Sequence, residues 1–241
     1  MELFLKLLLA HLVGDFFLQS NRGVQSKENR KIKSPYLYFH CLLHVILAML
    51  ATFDLNFWPY ALLIGLSHYL IDLAKLYFQQ KRWQVEALII DQLLHLLVIV
   101  GVVTVHSGYE HISSLKDLYH PQQLLLYCCL LLLTKPCSIL IKTAISKWSP
   151  HEETPSNNSL QNAGKWIGYL ERLLIFIFVI IGKFEAIGFL LAAKSIFRFG
   201  DLKQGDDRRL TEYVLIGTLL SFGIAIVIGL LYYKGQHSEL P

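Results

Sequence analysis

The chain has 241 residues, of which 54% are hydrophobic and only 17% charged, with a net charge of +4. An ordinary soluble domain carries roughly 25% charged residues, so this composition, with a mean hydropathy of +0.45, excludes a water-soluble fold. The positive excess is scattered over connections between apolar blocks, which excludes a nucleic-acid surface and points to a bilayer.

The apolar blocks cover 3–18, 36–53, 58–78, 87–105, 124–141, 166–182, 184–199 and 213–233. Most approach the roughly 20 residues a helix needs to cross a bilayer, so the pattern predicts an all-α, polytopic transmembrane helical bundle of about eight spans. The first block is interrupted by His11 and Asp15, and no small-residue cleavage pattern follows it, so it reads as a retained span rather than a signal peptide. Cys41, Cys128, Cys129 and Cys137 all fall in spans without CxxC pairing, which supports neither a disulfide scaffold nor a thiol redox motif.

Basic residues crowd alternate connections: Arg22, Lys27, Arg30, Lys31 and Lys33, then Lys81 and Arg82, then Lys142, Lys147 and Lys165, then Arg198, Lys203, Arg208 and Arg209. The intervening connections hold only Lys116 and Lys183. By the positive-inside rule both termini are then non-cytoplasmic. The organisation expected is a four-helix membrane core over 1–105 and a four-helix membrane segment over 106–241, the latter with a polar cytoplasmic loop at 143–165. That loop holds His151, Glu152 and Glu153, which read as solvated.

Each of the first four spans carries a polar pair spaced i,i+4: His11 with Asp15, His40 with His44, His68 with Asp72, and Asp91 with His95. That spacing puts each pair on one helix face. Asp15, His40, Asp72 and Asp91 lie about 6–7 residues from the basic ends of their helices, and His11, His44, His68 and His95 about 10–11, or roughly 6 Å deeper. Four helices of alternating direction thus bring their pairs to one depth. Ionisable groups so placed face a bundle interior, a pathway or a partner.

These eight residues offer nitrogen and oxygen ligands for a divalent metal: zinc first, then iron or manganese, with room for two ions bridged by an aspartate. Some could instead support the ligands by hydrogen bonds. Asp72 or Asp91 is the candidate catalytic base of a metal-dependent hydrolase acting on a lipid or lipid-linked ester or phosphoester. A proton, ion or small-solute transporter and a non-catalytic structural or accessory protein, its polar pairs serving only as helix glue, stay open beside it. The outer halves of the four helices are apolar apart from Lys6, which weighs against a path through the bilayer.

Lys75 lies one turn past Asp72, where it can neutralise the carboxylates or reach an anionic head group, and Gln19 lies one turn past Asp15. Further along, TKPC at 134–137 predicts a kinked helix. Glu171, Arg172, Lys194, Arg198 and Glu212 gather at the basic ends of later spans, where Arg172, Lys194 and Arg198 are candidates to hold an anionic lipid. The chain contains no Walker A, GxGxxG, GxSxG or HExxH pattern, so no nucleotide cofactor and no ordinary zincin chemistry is expected.

At HLVGDFFLQSNRGVQSK, HCLLH, SHYLIDLAK, GYLERLLIF, AIGFLLAAKSIFRF and EYVLIGTLLSF the chain resembles a bacterial family of multi-pass inner-membrane proteins, domain of unknown function number 3307. The likeness covers most of the chain and is carried by His11, Asp15, Gln19, His40, His44, His68, Asp72 and Lys75; Asp91 and His95 rest on depth alone. It implies the bacterial inner membrane as location and no activity. The histidine–aspartate helices are also similar to families labelled membrane-bound metal-dependent hydrolases, without a shared motif that would transfer the label.

Overall fold

Prolines and short polar side chains punctuate the helices where the sequence is most polar. The computed structural model describes residues 1–107, 120–148, 158–199 and 207–237, with only the backbone described at 81, 107, 158–162, 197–199 and 207–210. Helix α1, Glu2–Leu12, runs on into a π-helical turn, Val13–Leu18, after which Gln19 is extended. The Ser20 hydroxyl accepts the Gly23 N–H at 3.1 Å and so starts α2, Asn21–Arg30. This basic stretch is therefore helical and not a plain loop, bent by 87° from the helix before it.

Pro35 opens α3, Pro35–Thr52, and Pro59 is second in α4, Trp58–Phe78, positions where the missing N–H costs nothing. Helix α5, Gln84–Ser107, follows a tight 3-10 turn at Lys81–Trp83. Beyond it come α6, Pro121–Leu132, α7, Lys135–Ile145, α8, Asn158–Ile180, α9, Phe184–Phe199, and α10, Asp207–His237. Helix α6 ends at Leu132 and α7 starts at Lys135, so the helical run is interrupted at TKPC, with Pro136 in the first turn of α7. Of the polar connection expected at 143–165, residues 149–157 lie outside the described set.

The described chain is all-α, and five stretches are long and apolar enough to cross a membrane: Pro35–Thr52, Leu55–Phe78, Gln84–His106, Pro121–Trp148 and Thr211–His237. The bent pair Glu2–Leu18 and Asn21–Lys33 makes a sixth if counted as one span. Helix α9 has 16 residues, and positions 200–206 after it lie outside the described set.

The chain forms two compact units, Met1–Leu131 and Leu132–Pro241. In the first, α1 packs on α3 and α5, and α4 also packs on α3 and α5, closing a ring of four helices. Gly65 allows α3 and α4 to touch closely, because a Cβ there would collide with the Val45 side chain. One end of the ring is filled by Leu7, Ala48, Phe57, Ala61, Ile64, Ile99 and Val102. Its outer wall exposes Phe39, Leu66 and Leu97, a pattern suited to lipid and not to water. In the second unit, α10 packs on α7 and α8, and α8 on α9.

Candidate metal centre

The four helices of the ring turn their i,i+4 pairs inward, and the eight side chains meet. The Asp15 carboxylate gathers three histidines: its Oδ1 is 3.0 Å from His44 Nε2 and 3.3 Å from both His40 Nε2 and His68 Nε2. His11 Nε2 is 3.6 Å from its Oδ2. Asp72 Oδ1 is 3.9 Å from His68 Nε2 and 3.8 Å from His95 Nε2, which is in turn 3.7 Å from Asp91 Oδ1. All five histidines present Nε2 to the middle, and the rings of His44, His68 and His95 stack, with successive centroids 3.8 and 4.0 Å apart.

Separations of 3.3–3.9 Å are too long for good hydrogen bonds. They match the edges of a coordination shell, since two ligands at about 2.0–2.1 Å from a tetrahedral ion lie about 3.3 Å apart. Two buried atoms make the point sharply. His95 Nε2 and Asp91 Oδ1 have no hydrogen-bond partner, although they face each other in a dry interior. Buried polar atoms are rarely left so.

Three sets of ligand atoms lie within 4.8 Å of one another and can hold a metal ion: His11, Asp15, His44 and His68; His40, His68 and Asp72; and Asp72, Asp91 and His95. The first and third share no residue, so each could hold an ion without borrowing a ligand from the other. The four-ligand set has the make-up of a closed site, and the three-ligand set leaves a position open.

Two side chains that the sequence did not single out complete the centre. Lys27, on the short helix α2, is buried and donates to Asp72 Oδ2 at 2.7 Å. Gln92 donates to Asp15 Oδ2 at 3.0 Å and to Asp91 Oδ2 at 3.1 Å. Lys75 donates to Asp91 Oδ2 at 2.7 Å, so the structure sets it on a carboxylate of the cluster. Each lysine grips the outer oxygen of an aspartate and turns the other oxygen toward His95. Gln19 takes no part, because the π turn and the extended backbone at Gln19 carry it out of the register of Asp15.

Gly14 makes room for this packing. A Cβ on Gly14 would stand 2.5 Å from His44 Cε1. Gly14→Ala is therefore expected to displace the His44 ring and weaken metal retention by about 10–100-fold, measured by competition with a chromophoric chelator. Unchanged retention would show that His44 is not held at the centre by this contact.

Between the histidines and the apolar end of the ring lies a cavity of about 20 Å³, lined by His11, His44, His68 and His95 with Leu7 and Ile99. It has room for about one water. On the other flank, a groove of about 420 Å³ between α4 and α5 reaches Lys75 and Asp91.

The cations of the second unit are arranged differently. Arg172 is buried and donates to the Leu133 and Thr134 carbonyls, freed by the helix break, and to the Ser138 and Ser221 hydroxyls. Lys194 donates to Glu171 at 2.6 Å. Arg172 thus serves its own backbone and Lys194 its own carboxylate, while the Arg198 side chain lies outside the described residues. The four cysteines are buried and free.

No curated protein and no solved structure is detectably similar to the chain. The profile of the family described as "Protein of unknown function (DUF3307)" matches residues 3–126, the part that builds the four-helix ring and every residue of the centre. The chain belongs to that DUF3307 family.

Proposed function

We propose that the protein is a membrane-embedded metalloenzyme that hydrolyses an ester or phosphoester of a lipid or lipid-linked substrate near the cytoplasmic face. The observation that carries this reading is the three-ligand set Asp72, Asp91 and His95, with unpartnered Asp91 Oδ1 and His95 Nε2, beside a groove that reaches Asp91. Zinc is the first choice for the ion, with iron and manganese next, because mixed nitrogen and carboxylate ligation suits all three. An ion held there would polarise the scissile group and lower the pKa of a water. Asp72 and Asp91 would stand beside the reacting atoms, as the candidates to accept the water's proton.

The apolar filling on the far side of the histidines favours this reading over a transporter, which needs a polar route onward. Pairing between helices alone would leave no unpartnered ligand atoms. The test is release of product from a short-chain phospholipid by metal-loaded protein. Activity should vanish with chelator, return with zinc and be lost in Asp91→Asn. Turnover that survives chelation would overturn the reading.

We further propose that the chain crosses the bacterial inner membrane eight times with both termini outside the cytoplasm. The alternation of basic connections supports this. Reporter fusions after His151 and after His237 should report cytoplasmic and non-cytoplasmic locations respectively. The same side for both would refute it.

A further inference from the structure

The groove between α4 and α5 is built in two halves. Ile71, Phe78, Ile90 and Leu94 form an apolar wall, and Phe78 and Ile90 stand mostly exposed on the outside of the ring. Lys75 and Asp91 line the groove where it meets the metal centre, and Glu86 lines it as well. Its volume of about 420 Å³ lies within the range of sites that bind small molecules.

The polar groups specify what the groove accepts. Asp15, Asp72 and Asp91 carry three negative charges and Lys27 and Lys75 two positive ones, which leaves the bare centre at −1. One divalent ion raises it to +1 and two raise it to +3, so a loaded centre attracts an anion. Lys75, whose side chain is 27% exposed, lines the groove beside Asp91 and can donate to that anion. Glu86 Oε2 poses the opposite demand: it is buried, accepts no hydrogen bond and lines the same groove. A buried carboxylate oxygen without a donor is costly unless a ligand brings one.

We infer that this groove seats a bilayer phospholipid with a primary-amine head group, taken sideways from the membrane. The phosphate sits on Lys75 beside the metal centre, the ammonium on Glu86, and the acyl chains along Ile71, Phe78, Ile90 and Leu94. The inference rests on the proposed lipid hydrolase and narrows its substrate class. It also gives Lys75 a second task, since a phosphate that draws Lys75 away releases Asp91 Oδ2.

The test is native mass spectrometry of the detergent-solubilised full chain, with dioleoyl phosphatidylethanolamine and dioleoyl phosphatidylglycerol in equal amounts and metal counted in the same spectra. Wild type should retain the ethanolamine lipid on the order of tenfold better, the scale of one charge-assisted hydrogen bond. Glu86→Gln should abolish that preference while glycerol-lipid retention stays unchanged. Ile90→Trp, which fills the groove, should reduce both. Equal retention in wild type, a preference that survives Glu86→Gln, or retention indifferent to Ile90→Trp would each overturn the inference. Full metal occupancy without lipid preference sinks this inference alone, whereas a lipid preference in wild type that carries no metal as purified and takes up none from added zinc sinks the metalloenzyme reading and leaves the groove's selectivity standing.

Discussion

Protein purified without chelator is expected to carry about one to two divalent ions per chain, and His68→Ala/Asp72→Ala to carry none, because a three- or four-ligand site does not survive loss of a member. The double variant is the decisive one. His68 belongs to two of the three ligand sets and Asp72 to two, so together they dismantle all three. The charges favour an ion: three aspartates share a small, buried volume with two lysines, which leaves one negative charge in excess. Neutral imidazole and ionised carboxylate are the forms that coordinate an ion. Elemental analysis of folded protein provides the check. Metal near zero in intact wild type would end the proposal.

The largest loss of stability is expected from Lys27→Met. The Lys27–Asp72 pair is 2.7 Å long, with side chains only 9% and 10% exposed. Removing one partner of a buried pair leaves the other charged and dry, at a cost of about 3–5 kcal/mol. Thermal denaturation in detergent should show a lowered midpoint, deeper for metal-stripped protein because an ion on Asp72 partly replaces the ammonium. Lys27→Met/Asp72→Asn should recover most of the loss, since it removes both charges together. If Lys27→Met melts with wild type, helix α2 is not anchored through this pair.

The four-helix ring and its polar pairs were legible because i,i+4 spacing survives from sequence into space, and a common depth on four helices is hard to produce by chance. Lys27 was not legible. The stretch after Gln19 has no apolar periodicity, so it read as a basic loop, and only Ser20 as a cap signalled a helix. Its return into the core depends on the chain leaving α1 at the π turn, which no residue pattern announces. Gln92 was missed for a related reason: as the neighbour of Asp91 it should face elsewhere, yet its long side chain swings back to bridge two aspartates. Three of the eight apolar blocks are not among the five long spans: the first ends at Leu18 where the chain bends, α9 has only 16 residues, and Lys165, Glu171 and Arg172 interrupt α8. In the second unit, the cations looked like an anion site because sequence cannot show a carbonyl released by a broken helix, and Arg172 binds two of them.

The filling of Leu7, Ala48, Phe57, Ala61, Ile64, Ile99 and Val102 against the histidines has an electrical consequence. Each helix continues from its histidine into this cluster one turn on, so protons and ions that reach the centre must leave by the side they came from. A charge moved across the whole bilayer would feel about 2.3 kcal/mol per 100 mV. One that enters and leaves on the same face returns that energy in full. For the proposed hydrolase, turnover would then be electrically silent, with the membrane potential neither driving the chemistry nor slowing it.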